Sequence, residues 1–150
     1  MTPAQLDDLG LFEGLEPASK SALAQALRER SLVAGEPLFA QGDRAHSCFV
    51  VLDGQIVVDT EIEGLGRERL SVLGRGDLFG EVALLDGGDR SATCTAGPDG
   101  AHVAELVRAD FDRLFNAGDA LAYGLMDTLL DRLAARLRGA TRRLLEVAAE

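Results

Sequence analysis

The stretch from Gly80 to Thr93, GEVALLDGGDRSAT, places an acid, Glu81, nine residues before a base, Arg90, with Ser91 and Thr93 just beyond it. A planar guanidinium offers paired N–H donors that match two oxygens of one phosphate group. An ionised carboxylate only accepts, so Glu81 suits a donating hydroxyl rather than an anion. Gly80 lets the backbone approach a bound group closely. The amides of Val82 and Ala83, at the start of a short helical turn, can donate to anion oxygens, and the Ser91 hydroxyl adds a further donor. These residue types suit a ligand that carries both a phosphate and a free hydroxyl. Out of context, a Glu and an Arg nine residues apart can equally close a loop as an internal ion pair.

Other chemistries find few residues to carry them. His46 and His102 form no HxH pair; His46, beside the turn residues Asp43 and Arg44, reads as a surface group and His102 as a strand-start residue. Cys48 and Cys94 each lie in an apolar run without a CxxC pair, so buried thiols are expected rather than metal ligands or a disulfide. Two cysteines are too few for an iron–sulfur sensor. There is no Walker loop and no GxSxG nucleophile motif. The expectation is a protein that is not an enzyme and holds no metal or cofactor.

The chain has 150 residues, 47% of them apolar, which suits one domain with an ordinary core. No run approaches the roughly 20 apolar residues of a membrane span, and MTPAQLDDLG lacks signal-peptide character. A soluble, cytoplasmic protein is expected. The net charge of −10 opposes approach to DNA or to an anionic membrane. Residues 1–117 carry 20 acidic and 10 basic groups, whereas residues 118–150 carry 5 of each. An anionic ligand would therefore need a local positive site that overrides a repulsive field, and Arg90 is placed to supply it.

The elements around Glu81 and Arg90 follow from periodicity. Residues 1–30 read as helical, with a break at LGLFEGLEP and a second helix opening at Pro17, followed by Leu23, Ala26, Leu27 and Arg30 at helical spacing. Over 31–107, short apolar runs alternate with glycine-containing turns. Asp53-Gly54, between SCFVVL and QIVVDT, predicts a hairpin. The pattern predicts a mainly β fold with flanking helices: an antiparallel jelly-roll, or β-roll, barrel.

Over 108–150 the helical period returns. A short helix around Phe111, Leu114 and Phe115 should end near Gly118, and a long helix should begin near Asp119. In the long helix Met126, Leu130, Leu133, Leu137, Ala140, Leu144 and Val147 are separated by 4, 3, 4, 3, 4 and 3 residues, a heptad seam. Leu121, Leu125 and Leu129 form a second stripe that can cover the barrel, leaving the seam for a parallel homodimer. The alternative is one amphipathic helix folded back on its own domain. The five arginines Arg132, Arg136, Arg138, Arg142 and Arg143 read as seam-flanking residues rather than nucleic-acid contacts.

From Phe79 to Thr93 the sequence resembles the cyclic nucleotide-binding domains of the catabolite activator protein family, protein kinase regulatory subunits and cyclic-nucleotide-gated channels. The family pattern is Phe-Gly-Glu, a small and apolar stretch, then Arg with Ser, Thr or Ala, then Ala and Ser or Thr. Here it reads Phe79, Gly80, Glu81, Val82, Ala83, Leu84, Leu85 and then Arg90, Ser91, Ala92, Thr93. The resemblance extends over nearly the whole chain. It takes in GRGDLFGE before the cassette, VRADFDRLF as the short helix, and an eight-stranded roll between the helices.

The resemblance implies that Glu81 holds a ribose 2′-hydroxyl, while Arg90, Ser91 and the Val82 and Ala83 amides hold a cyclic phosphate close to Gly80. It also aligns Ala140 and Thr141 with a pair of hydroxyl residues that, one from each subunit, meet the adenine amino group. Only Thr141 keeps the hydroxyl, and Asp89 stands where many relatives have proline. Ser91 is compatible with a syn guanine, yet cAMP is expected over cGMP. With no recognition helix in view, direct DNA binding is not expected, and the long helix is expected to signal to a separate partner protein. The competing expectation is a ligand-free β-roll that serves as a dimeric scaffold with a degenerate pocket.

Overall fold

The computed structural model describes residues 1–10, 15–81, 88–116 and 120–149. Its first helix, α1 (Pro3–Asp8), starts in a capping box. Thr2 Oγ1 accepts from the Gln5 amide at 3.3 Å, and the Gln5 side chain accepts from the Thr2 amide at 2.7 Å. The break expected at LGLFEGLEP falls partly outside the described residues. Helix α2 (Pro17–Ala26) opens on Pro17, whose missing N–H costs a first turn nothing.

Leu27 is already extended, and β1 (Arg28–Leu32) follows at once. The strand thus begins three residues before the expected boundary at Ser31, and Arg30 is a strand residue. Helical spacing at Arg30 gives way to five paired positions, from Arg28 opposite Glu105 to Leu32 opposite Ala101. A ladder offered by a neighbouring strand outweighs weak local propensity.

The remaining strands are β2 (Pro37–Phe39), β3 (Ser47–Ile62), β4 (Gly66–Leu73), β5 (Leu78–Phe79) and β6 (Thr93–Val107). All pairings are antiparallel, in the order β1-β6-β3-β4, with β2 also on β6 and β5 also on β3. The expected antiparallel roll is therefore present, but the hairpin at Asp53-Gly54 is not. The chain runs straight through Gly54 as one bent strand.

Gly54 has φ +76°, and a Cβ there would lie 2.3 Å from the Gly100 carbonyl oxygen. Between the pairs Gly54–Ala101 and Ile56–Ala96, β6 carries three more residues than β3. The two long strands bend together at this bulge. SCFVVL joins QIVVDT in β3, and where the resemblance implied an eight-stranded roll, six strands are present among the described residues. His102 sits inside β6 rather than at a strand start, 3.2 Å from Glu29; His46 is exposed as expected.

Strand alternation divides the core into two layers. On one face Cys48, Val50, Ala104 and Leu106 pack with Leu6 and Leu23 of the N-terminal helices. They also meet Phe111 and Leu114 of α3 (Arg108–Asn116). On the other, Phe49, Val51 and Val103 pack with Phe79, Ile56 and Cys94 inside the roll. Both cysteines are buried and neither is in a disulfide. Burial pushes the Cys48 thiol up to about 12, which keeps it protonated and inert.

The last helix, α4, spans Ala120–Ala149. The caps expected at Gly118 and Asp119 lie outside the described residues, as do the side chains of Met126, Leu121, Leu125 and Leu129. Leu130, Leu137 and Leu144 are 53%, 69% and 71% exposed, so this row of the expected seam faces water, whereas Leu133 and Ala140 are half-buried. Among the described residues no helix is long and apolar enough to cross a membrane.

Candidate functional site

The roll interior ends in three aromatic rings. Phe39 of β2, Phe49 of β3 and Phe79 of β5 stand with centroids 5.4 to 6.3 Å apart. Arg90 lies on this floor, its Cζ 4.1 Å from the Phe39 centroid and 5.6 Å from that of Phe49. Its Nη1 donates to the Gly80 carbonyl at 3.1 Å. Its Nη2 donates to the Ser47 carbonyl at 2.8 Å and to Ser47 Oγ at 3.3 Å. The side chain is 6% exposed.

Burial lowers the Arg90 pKa, and the carboxylates of Glu105 and Asp43 act against it. A guanidinium nevertheless stays charged in a protein. A charge seated in this way is preorganised for an anion, because its plane is set before anything binds.

The backbone of Arg90 is clamped from a loop far away in sequence. The Arg90 amide donates to the Asp43 carbonyl at 2.8 Å, and the Gly42 amide donates to the Arg90 carbonyl at 2.9 Å. Arg44 and Asp89 form an isolated antiparallel bridge. Asp43 turns its own loop by accepting from the Ala40 amide at 2.9 Å. Thr93, the last residue of the cassette, accepts from the Gln41 amide at 2.9 Å and so serves the same clamp.

Gly80 is required by this arrangement. It has φ +75°, and a Cβ there would lie 2.7 Å from Arg90 Nη1. Glu81 follows with 0% exposure. Gly80, Glu81, Arg90 and Ser91 all line one cavity of about 990 Å³. From α4, Ala135, Gly139, Ala140 and Arg143 line its opposite side, and Leu70 and Leu73 of β4 flank it. Small residues at 135, 139 and 140 leave room beneath the helix.

The structure thus brings Gly80, Glu81, Arg90, Ser91 and Ala140 of the expected site together. Val82 and Ala83 lie outside the described residues. Thr141 is exposed on α4 and is not among the residues lining this cavity, and Asp89 is exposed on its lining beside Arg90. Reading the sequence for chemistry did not single out Ser47, Phe39, Phe49 or the Gln41–Asp43 clamp, which lie 41 to 51 residues before Arg90. QGD was legible as a turn, but nothing local tied it to Arg90. Arg143 was read only as a seam-flanking arginine.

The sequence profile described as cyclic nucleotide-binding domain matches residues 29–117. The chain is 36% identical over 124 residues to the cyclic AMP receptor protein of Thermus thermophilus, covering 82% of this chain and 56% of that protein. It is 37% identical over 91 residues to the cAMP-dependent protein kinase regulatory subunit of Mycosarcoma maydis, covering 61% of this chain and 17% of that one. The chain therefore spans about half of the first relative and a small part of the second.

A crystal structure of a cyclic nucleotide-binding domain from Methylobacillus flagellatus shares the fold, with a TM-score of 0.87 at 24% identity. That match covers 96% of this chain and 83% of that one. The profile match covers more than half of the chain and the antiparallel roll with its long helix is shared with that structure: the chain belongs to the cyclic nucleotide-binding domain family.

Proposed function

We propose that this sensor domain binds cAMP in preference to cGMP and passes the signal through α4 to a partner protein. Arg90 takes the two exocyclic oxygens of the cyclic phosphate, and Glu81 accepts from the ribose 2′-hydroxyl. Ser91 and the amides of Val82 and Ala83 complete the phosphate shell, and Gly80 lets the sugar come close. The observation that carries this reading is the shared cavity. Glu81 and Arg90, 0% and 6% exposed, both face about 990 Å³ of space roofed by α4.

The base then lies toward α4, where Ala140 gives space. In this reading the domain is a homodimer through Met126, Leu130, Leu133, Leu137, Ala140 and Leu144. The exposed Leu130, Leu137 and Leu144, seven residues apart, support the seam. Thr141, exposed and outside the lining of its own cavity, is then available to the partner's cavity. A ligand that touches both the cassette and α4 shifts the position of that helix by its differential contacts alone.

Titration calorimetry with cAMP and cGMP tests the reading. Binding of either, lost on Arg90→Ala, is the expected result, with cAMP the tighter. Absence of heat and of any thermal shift with both nucleotides at millimolar concentration would instead support the scaffold reading. Arg90, already hydrogen-bonded within its own chain, is the one observation that favours that alternative.

A further inference from the structure

Ser47 is the first residue of β3, 2% exposed, and belongs to no recognisable motif. Its hydroxyl lies between two groups that leave it no choice of orientation. Arg90 Nη2, 3.3 Å away, can only donate; Glu105 Oε2, 2.8 Å away, accepts. The single hydroxyl proton therefore points at Glu105, and a lone pair points at Arg90. The Ser47 carbonyl takes a second bond from the same Nη2 at 2.8 Å.

Glu105 stands directly opposite Phe49, one of the rings beneath the guanidinium, on the inner face of the β3–β6 pair. At its outer edge it approaches Arg30 Nη1 at 4.0 Å. The same strand end is tied to α3, because the Arg108 amide donates to the His46 carbonyl at 2.7 Å.

We propose that Ser47 and Glu105 are positioning residues that set the plane of the Arg90 guanidinium, and through it the affinity of the cavity for a cyclic phosphate. The inference rests on Arg90 being the phosphate ligand. Neither residue touches the cavity: Ser47 acts by fixing one nitrogen of the guanidinium, and Glu105 by fixing the Ser47 hydroxyl. A carboxylate one hydroxyl away also offsets the buried charge without occupying the anion's place. Hydrogen bonding of this kind polarises along the chain, so each member strengthens the next.

The test is titration calorimetry with cAMP on Ser47→Ala, Glu105→Ala, Ser47→Thr and Glu105→Gln, with melting temperature as the folding control. Each alanine variant should bind about tenfold more weakly, the effect of one lost charge-assisted hydrogen bond. Threonine keeps the hydroxyl and glutamine keeps an accepting oxygen, so both should stay within about threefold of wild type. In an Arg90→Lys background Ser47→Ala should cost nothing further. The same loss in both backgrounds, or failure of threonine to restore binding, overturns the proposal.

The ligand-free chain gives a second reading. Slow rotation of the Arg90 guanidinium should give separate Nη signals in nitrogen NMR at low temperature, merging in Ser47→Ala and retained in Ser47→Thr. Unchanged signals in Ser47→Ala overturn the proposal. If wild type binds no cyclic nucleotide, the phosphate role of Arg90 fails, while the NMR result still decides whether Ser47 and Glu105 orient the guanidinium.

Discussion

The floor and the roof of the cavity are held by different forces. On the floor, Arg90 has three side-chain hydrogen bonds, two backbone bonds to the 42–43 loop and a ring face beneath it. On the roof, α4 turns small residues and Arg143 toward the cavity while Leu130, Leu137 and Leu144 face water. Polar bonds in a water-poor interior are costly to rearrange. Leu130, Leu137 and Leu144, left in water, contribute little to holding the helix on its own roll. In the function proposed above, recognition belongs to the hydrogen-bonded floor, and the response to a helix that a ligand or a second copy can place.

Substitutions on each side should separate these roles. The largest effect is expected from Arg90→Ala, which removes one partner of a buried charge pair and should weaken cAMP binding by about 2–5 kcal/mol. Calorimetry reads it, and unchanged affinity would move the anion site away from the floor. Next, Gly54→Ala puts a Cβ against the Gly100 carbonyl at a positive φ and should destabilise the roll by about 3 kcal/mol. Denaturant unfolding measures that loss.

On the roof side, Leu137→Asp should convert dimer to monomer in sedimentation. It withdraws about 2 kcal/mol of apolar burial per copy and places a charge in the seam. The melting temperature of the roll should stay near wild type, since Leu137 is 69% exposed; a large fall would mean that the helix packs on its own domain. The smallest effect is expected from Thr2→Ala, which loses one side of the α1 capping box and about 1 kcal/mol of stability. Cyclic nucleotide affinity should not change, because α1 packs on the opposite face of the sheet from the floor.

Legibility followed distance along the chain. Glu81 and Arg90 were readable because both lie in one short segment whose residue types match one ligand. Helix α3 was readable because Phe111 and Leu114 recur at helical spacing. Asp53-Gly54 misled, since a glycine at positive φ serves a hairpin turn and a bent strand equally well. Only the matching bulge at residues 97–100 of β6 decides between them. Arg30 misled for a similar reason: five paired positions on β6 lie outside any local window.

By itself the sequence determined which groups could meet a phosphate and a ribose, that a roll of strands stood between helices, and that α4 carried a seven-residue apolar repeat. Those properties live in residue type and short-range spacing. The tertiary structure alone decided what holds Arg90. Ser47, Phe39, Phe49, Asp43 and Glu105 reach it across 15 to 51 residues of chain. Their partnership arises when β3 and β6 pair and bend together, because a hydrogen bond or a ring contact depends on separation in space and carries no trace of separation along the chain.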